Sequence, residues 1–203
     1  DLHLLSRRQR QMCIRDREVT VSRVEASVTY PANFQLVAAM NPCPCGHFPD
    51  RSRCRCTDGQ ITRYLQKVSG PMLDRIDICV EASPITYGDI RSSGNNESSR
   101  EIRARVEQAR KIQRERFAGE NIRCNGEMSG RHIRKFCWLG REEEKFMEEI
   151  FKKLALSARM HDRILKVART TADLAEEEKI RLADLCEAVS LSLIHISEPT
   201  RRT

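Results

Sequence analysis

The first third of the chain carries the two-residue alternation of apolar and polar positions that is typical of β-strands. Residues 18–22 and 26–30 both alternate in this way, and three residues separate them, which predicts a β-hairpin. Residues 34–40 form a continuous apolar run, typical of a strand buried on both faces of a sheet. Residues 76–82 predict a second inner strand. The pattern therefore indicates an α/β core over residues 18–82.

The second half of the chain has the 3.6-residue periodicity of α-helices. Ser98 and Glu101 have the spacing of a capping box, and the apolar positions that follow share one helix face as far as about Phe117. Residues 83–97 are rich in Pro, Gly, Ser and Asn and predict a linker before this helix. The predicted fold class is therefore α/β plus all-α, with a helical domain over residues 98–190. Further helices are predicted over residues 60–68, from about Ser129, over 141–154, over 158–174 and from about Ile180.

The two ends of the chain, residues 1–17 and 191–203, resemble translated sequencing adapters. The string ATGTGTATAAGAGAC encodes Met12–Asp16, and its reverse complement, GTCTCTTATACACAT, lies within codons that fit Leu191–Ile196. Such an inverted repeat has no structural reason in a protein. We therefore expect both ends to be non-native and the chain to be cut short, so that the fold is carried by residues 18–190. A genuine basic arm and a genuine apolar C-terminal segment are the alternatives.

The composition is basic, with 36 Lys and Arg residues against 29 Asp and Glu residues and a net charge of +7. This favours a polyanion partner, although the charges are interspersed, as on an ordinary solvated surface. The two ends supply seven arginines and three acidic residues, so a net charge of only +3 belongs to residues 18–190. No apolar run approaches the ~18–20 residues that cross a bilayer, and the N-terminus lacks the order of a secretory signal. We expect a cytoplasmic protein with no membrane partner.

Four of the nine cysteines lie close together, as two Cys-x-Cys pairs within an insert, residues 42–59, that is rich in Pro, Gly and Asp. They are Cys43, Cys45, Cys54 and Cys56. Four thiolates suit tetrahedral zinc in a closed structural site. So short a segment cannot build a hydrophobic core, and a bound metal would supply its folding energy. Free thiols, a redox pair, or a site in which His47 replaces one cysteine are the alternatives.

Five motifs stand in order along residues 18–190. They are Val37-Ala-Ala-Met-Asn-Pro42 with Cys-Pro-Cys-Gly46 directly after it, Ser69-Gly-Pro-Met-Leu-Asp-Arg-Ile-Asp77, Gly126-Glu-Met-Ser-Gly-Arg131, Leu156-Ser-Ala-Arg159, and Ile164-Leu-Lys-Val-Ala-Arg-Thr-Thr-Ala-Asp-Leu174. Together they resemble the magnesium-chelatase-like AAA+ ATPases, in the branch called ComM or YifB. The resemblance implies the C-terminal part of an AAA+ core, followed by a helical lid domain.

The resemblance assigns three residues to a nucleotide site. Asn41 matches sensor 1, an amide that orients the attacking water, and Arg75 matches the arginine finger, which stabilises transition-state charge on a neighbouring subunit's γ-phosphate. Arg159 matches sensor 2, which links the lid to the nucleotide. An Asx-turn at Asn41, a surface pair of Arg75 with Asp74 or Asp77, and Arg163 in place of Arg159 are the alternatives. Because an arginine finger acts in trans, the resemblance also implies self-association into a ring, usually a hexamer.

The P-loop GxxxxGK[ST] and the acidic Walker B strand of this family have no match in the printed sequence. An ATPase needs both, because they hold the ATP phosphates and Mg²⁺. We therefore expect these motifs to lie upstream of residue 18 in a longer protein that uses ATP and Mg²⁺. We expect this chain not to hydrolyse ATP alone.

The resemblance implies a motor that acts on DNA, similar to the branch-migration helicases of the ComM branch. Arg23, at the tip of the predicted hairpin, could contact DNA phosphates or belong to a purely structural turn. The basic residues of the helix over residues 98–117 alternate with Glu101, Glu107 and Glu115, which favours a solvated face. A magnesium-chelatase motor subunit for tetrapyrrole synthesis is a second hypothesis, which the cysteine insert disfavours. A free-standing zinc-bearing nucleic-acid-binding module is a third, although an aromatic content of 5% is sparse for base stacking.

Overall fold

The computed structural model describes residues 18–23, 26–32, 34–73, 75–82, 87, 91 and 97–193. The chain divides into two compact units, residues 1–61 and residues 62–203. The predicted linker, residues 83–97, lies outside the described residues except at positions 87, 91 and 97. The described residues are mostly helical, with one two-stranded sheet.

The predicted hairpin is present in the first unit. Strand β1 (Glu18–Arg23) pairs antiparallel with strand β2 (Ala26–Pro31), in a register that sets Thr20 opposite Thr29. Alternating Val and Thr residues favour this extended backbone, and the two threonine hydroxyls hydrogen-bond across the pair at 2.9 Å. The hairpin prediction is therefore confirmed, while two residues of its tip, 24 and 25, lie outside the described residues.

The two inner strands predicted at residues 34–40 and 76–82 do not form, and these predictions are wrong. Both segments are irregular and their apolar side chains are largely exposed: the exposed fraction is 83% at Val37 and 73% at Val80. A continuous apolar run becomes a strand only where neighbouring strands satisfy its backbone N–H and C=O groups. In the part of the chain that the structure describes, β1 and β2 bond only to each other and offer no such neighbour.

Helix α1 (Asp58–Leu65) follows the cysteine insert and confirms the helix predicted over residues 60–68. It begins two residues earlier than predicted because Thr57 and Gln60 form a reciprocal cap. Thr57 N–H donates to Gln60 Oε1 at 2.9 Å, and Gln60 N–H donates to Thr57 Oγ1 at 3.3 Å. A single helical turn, α2 (Gly70–Leu73), comes next along the chain.

The second unit is helical, as the periodicity predicts. Its further elements are α3 (Ser99–Arg116), a 3₁₀ turn (Asn125–Glu127), α4 (Gly130–Phe136), α5 (Arg141–Lys153), α6 (Ala158–Leu174) and α7 (Leu182–Leu193). The five helices confirm the predicted ones, with ends that agree within about two residues. Helix α3 starts at a complete capping box, in which Ser98 Oγ accepts from Glu101 N–H and the Glu101 carboxylate accepts from Ser98 N–H at 2.7 Å.

Helix α6 lies at the centre of the core of this unit. It packs against α3, α4 and α7, and its Ile164, Ala168 and Ala172 side chains are fully buried. The four-residue spacing places these side chains on one face, and the small alanines let the neighbouring helices approach closely. The rest of the core includes Phe117, Met128, Ile133, Cys137, Met147, Leu156, Ile180 and Leu185.

Helix α7 continues to Leu193, so the first three residues of the adapter-like C-terminal segment are helical. One of them is bonded within the second unit, because Cys79 N–H donates to the Leu191 carbonyl at 2.9 Å. Residues 194–203 and residues 1–17 lie outside the described residues. Among the helices of the described chain, none is both long enough and apolar enough to span a bilayer.

Candidate functional site

The four cysteines of the insert come together in the first unit. Their Sγ atoms all lie within 4.8 Å of one another; Cys43 is 3.3 Å from Cys45 and 3.8 Å from Cys54, and Cys45 is 3.6 Å from Cys54. Tetrahedral zinc with Zn–S bonds of about 2.3 Å places its sulfurs about 3.8 Å apart. With Cys56 as the fourth donor, the set and its spacing fit a closed tetrahedral zinc site.

Two turns of the insert bring the cysteines into position. In the first, Gly46 N–H donates to the Cys43 carbonyl at 3.0 Å, and Gly46 has φ +80°, a left-handed conformation that glycine adopts without Cβ strain. In the second, Cys54 N–H donates to the Asp50 carbonyl at 2.8 Å, and the Asp50 carboxylate accepts from Ser52 N–H at 2.9 Å. The local sequence therefore sets the backbone geometry of both Cys-x-Cys pairs.

Arg51 braces the outside of the insert. Its guanidinium lies 5.0 Å from the centre of the Phe48 ring, forms an ion pair with Asp58 at the start of α1, and donates to the Cys56 carbonyl at 3.5 Å. These contacts join the end of the insert to the helix that follows it. The sequence alone did not identify Arg51, because its spacing does not distinguish it from the other arginines of the insert.

Hydrogen bonding and burial give the thiols different acidities. The backbone N–H of His47, together with the Cys43 thiol, lowers the pKa of Cys45 to about 6. Burial raises the pKa of Cys56 to about 11. Cys45 therefore reaches the thiolate form, which is the form that binds metal, near neutral pH. A bound cation would favour deprotonation of the other three thiols.

Asn41, the sensor 1 candidate, lies directly before the first cysteine turn and is exposed. A Cβ atom at Gly46 would come within 3.9 Å of Asn41 Nδ2, so the side chain lies beside that turn. The Asx-turn alternative finds no support, because the Asn41 side chain forms no hydrogen bond with any other described residue. The inner strand expected to hold Asn41 at its end is the one that does not form.

Arg75, the arginine finger candidate, is exposed and lies in the turn that follows α2. Arg75 N–H donates to the Met72 carbonyl at 3.0 Å, and Ile76 N–H donates to the Leu73 carbonyl at 3.0 Å. Two consecutive backbone hydrogen bonds therefore hold this turn. Asp74, one carboxylate of the surface-pair alternative, lies outside the described residues.

Arg159 and Arg163, the two sensor 2 candidates, differ sharply in environment. Arg159 is exposed in the first turn of α6. Ser157 caps this helix, and its hydroxyl accepts from Met160 N–H at 3.2 Å. Arg163, one turn later, is 94% buried, and its Nη1 donates to the Ile76 carbonyl at 2.9 Å. Arg163 thus holds the segment directly after Arg75 against α6, a contact that no pattern in the sequence indicates.

The structure brings the four cysteines together, whereas the three nucleotide-site candidates belong to two different units. Asn41 belongs to the first unit, whereas Arg75 and Arg159 belong to the second. The tight quartet is the candidate metal centre, and the exposed guanidiniums of Arg75 and Arg159 are groups that could reach an anionic ligand.

Two family models match the chain. The model described as magnesium chelatase, subunit ChlI, matches residues 8–90, and the model described as magnesium chelatase, subunit ChlI C-terminal, matches residues 96–192. The gap between the two matches falls within the predicted linker. The matches also extend into both adapter-like segments, by ten residues at the N-terminal side and two at the C-terminal side.

Curated relatives agree with these matches. The chain is 41% identical to competence protein ComM of Haemophilus influenzae over 173 residues, which are 85% of this chain and 33% of that protein. It is 42% identical to the uncharacterized protein YifB of Escherichia coli over 179 residues, 87% of this chain and 34% of that protein. An uncharacterized protein of Mycobacterium tuberculosis is 34% identical over 177 residues, 87% of this chain and 35% of that protein. The chain therefore spans about a third of the length of these relatives. The two model matches, which together cover most of the chain, show that it belongs to the magnesium chelatase ChlI family.

Proposed function

We propose that this chain is the C-terminal portion of a ring-forming AAA+ ATPase that acts on DNA, similar to a branch-migration helicase. The observation that carries the proposal is the match of both halves of the chain to one ATPase family. Asn41, Arg75 and Arg159 all lie within the matched segments, and the motifs around them resemble those of the family's nucleotide site. A preceding part of the longer protein would hold the ATP phosphates and Mg²⁺.

ATP and Mg²⁺ supply the phosphoryl-transfer chemistry in this proposal, and residues of this chain orient and stabilise it. Asn41 positions the attacking water with its amide. The Arg75 guanidinium stabilises the charge that develops on the transferred phosphoryl group, a contribution worth about 10³–10⁵ in rate in well-studied cases. Arg159 contacts the nucleotide from the lid, a role that its exposure supports, because Arg163 is already engaged with the Ile76 carbonyl.

Self-association follows from the role given to Arg75. An arginine finger acts on the nucleotide of a neighbouring subunit, so its guanidinium must reach beyond its own chain. The exposure of Arg75 supports this arrangement. We therefore propose a ring, usually of six subunits in this family, in which each subunit completes the site of the next.

The cysteine quartet holds one structural zinc ion in this proposal. Four thiolates leave no open coordination position, so the metal stabilises the insert and takes no part in catalysis. Asn41 directly precedes the insert, and its side chain lies beside the Gly46 turn. A rigid insert would therefore restrict the position of the sensor 1 amide.

Arg75→Ala in the full-length protein tests the ATPase proposal. We expect ATP hydrolysis to fall about a thousandfold or more, since the transition-state charge loses its partner, while equilibrium binding of a fluorescent ATP analogue stays unchanged. Arg134→Ala, which removes an exposed arginine on α4, is the matched control and should hydrolyse ATP normally. Hydrolysis that survives in Arg75→Ala contradicts the finger assignment.

The name of the matched family favours a second candidate, a magnesium-chelatase motor subunit. The two functions differ in their response to DNA: single-stranded or branched DNA should stimulate the ATPase of a helicase and leave that of a chelatase motor unchanged. A full-length protein that binds zinc and DNA but no ATP would instead support the non-enzymatic nucleic-acid-binding module.

A further inference from the structure

Helix α3 has a buried face and an exposed face that differ in charge. Its C-terminal half buries Ala109 and Gln113 against the unit, and Phe117 directly after the helix is buried with them. At 100° per residue, the exposed side of the helix carries a strip of cations with two carboxylates, Glu107 within it and Glu115 at its edge. This strip, which we call the outer arc, contains Arg100, Arg103, Arg110, Lys111 and Arg114, all exposed.

Three other charged residues of α3 have partners away from this strip. Arg105 forms a bidentate pair with Glu97, at 2.6 and 2.9 Å, and Arg116 turns inward to Asp173. Glu101 is engaged in the capping box with Ser98. Of the three glutamates that alternate with the basic residues, Glu101 is therefore held at the cap, while Glu107 and Glu115 remain exposed beside the cations.

The outer arc keeps its charge in the described chain. None of its five cations forms a salt bridge with any described residue, and Glu107 does not form one either. Five positive charges against the two negative charges of Glu107 and Glu115 leave the arc cationic. Their alignment over one helix face makes this a surface for an extended anion.

The length and composition of the arc fit a phosphate backbone. Arg100 and Arg114 are separated by 14 residues, or about 21 Å along the helix axis, a distance over which one DNA strand presents about six phosphates. The arc contains no aromatic residue for base stacking and no apolar residue for insertion into a lipid surface. The arc is therefore suited to contacts with phosphates, and such contacts carry no sequence information.

We propose that the outer arc of α3 binds the sugar-phosphate backbone of DNA without regard to sequence. The choice of DNA rests on the proposed motor function, whereas the cationic surface rests on the residues of α3 alone. This proposal differs from the solvated-face interpretation of the same helix.

Fluorescence anisotropy of the 203-residue chain with labelled 30-nucleotide DNA, single-stranded and duplex, tests this surface. The triple variant Arg103→Ala, Arg110→Ala, Arg114→Ala removes three cations of the arc. Its matched control, Arg141→Ala, Lys145→Ala, Lys153→Ala, removes three exposed cations from α5 and so changes the net charge equally. Affinity is measured between about 50 and 200 mM salt, the range in which phosphate contacts change binding most visibly.

Each phosphate contact contributes about 0.7–0.9 to the slope of log affinity against log salt, so the arc variant should lose a slope of about 2–3. This corresponds to an affinity roughly 100- to 1,000-fold lower at about 0.1 M salt, if the proteins bind equally at about 1 M. The α5 control should bind like the unsubstituted chain. Equal binding by the arc variant, no binding by the unsubstituted chain, or binding only to phosphatidylserine-containing vesicles overturns the proposal. This measurement does not depend on ATP hydrolysis. Its result can therefore be interpreted even if the ATPase proposal is wrong.

Discussion

At the scale of single residues, the charge network around Asp173 shows how much depends on packing. The Asp173 carboxylate is fully buried; it accepts from Arg116 Nη1 at 2.7 Å, from Asn125 Nδ2 at 2.8 Å and from Arg169 Nε at 3.1 Å. Burial lowers the pKa of Arg169, and the Asp173 carboxylate opposes that shift. The carboxylate therefore stabilises two guanidiniums that are largely removed from water.

Asp173→Ala should destabilise the second unit severely. Removing one partner of a buried ion network leaves uncompensated charge, here on Arg116 and Arg169, and such changes cost about 3–5 kcal/mol. Urea unfolding followed by circular dichroism measures the loss of unfolding free energy. Asp162→Ala, on the same helix but half exposed, is the matched control and should change stability by less than about 0.5 kcal/mol. A similar small change for both variants would show that Asp173 does not hold the network together.

The sequence revealed some of these residues and not others for a physical reason. The cysteine quartet is visible because its members are close in sequence and share one chemistry. Arg116 looked like part of a solvated helix face, because its partner Asp173 is 57 residues away and only the packing of α3 on α6 unites them. Arg163 likewise meets Ile76 across 87 residues. Spacing along the sequence therefore predicts metal-ligand sets such as the four cysteines. Tertiary packing decides which arginine side chains stay exposed to a partner.

At the scale of elements, helices were predicted well and inner strands were not. A helix satisfies its own backbone hydrogen bonds, so periodicity and caps such as Ser98 and Glu101 suffice to place α3. A hairpin needs only its adjacent strand, which β1 and β2 supply to each other. The apolar runs at residues 34–40 and 76–82 need strands that the described chain does not provide, and they stay irregular.

The start of α3 should make a measurable, pH-dependent contribution to stability. Ser98→Ala removes the cap hydroxyl and should cost about 1 kcal/mol. The Ser98 hydroxyl and N–H lower the pKa of Glu101. The carboxylate's contribution to stability is therefore present at pH values above its ordinary pKa, and it is lost as the pH falls through the lowered pKa. Glu101→Gln keeps a capping side chain but has no carboxylate to titrate, so its acid-side loss of stability should be smaller. Equal acid sensitivity of Glu101→Gln and the unsubstituted chain, in urea unfolding between pH 3 and 7, would count against this cap.

At the scale of the whole molecule, two different sources of stability serve different segments. The hydrophobic core of the second unit is continuous among residues 117–191. In the insert, residues 42–59, Cys43 is the one fully buried residue, and such a segment depends on a cross-link in place of a core. The metal-binding proposal therefore concerns the order of the insert, while the helices rely on apolar packing.

Removal of the metal should consequently loosen the insert and spare the helices. We expect elemental analysis of the 203-residue chain to give a single zinc ion per chain, with none in Cys54→Ser and full occupancy in Cys186→Ser, which changes an exposed cysteine outside the quartet. After chelation, trypsin should cut faster at the insert's exposed arginines, Arg51, Arg53 and Arg55, because the turns that hold their backbone lose their cross-link. The helical circular dichroism signal should change little, since the core of residues 117–191 contains no member of the quartet. Unchanged cleavage after chelation would mean that hydrogen bonds and the Arg51 brace alone order the insert, and collapse of the helical signal would mean that the metal supports more than the insert.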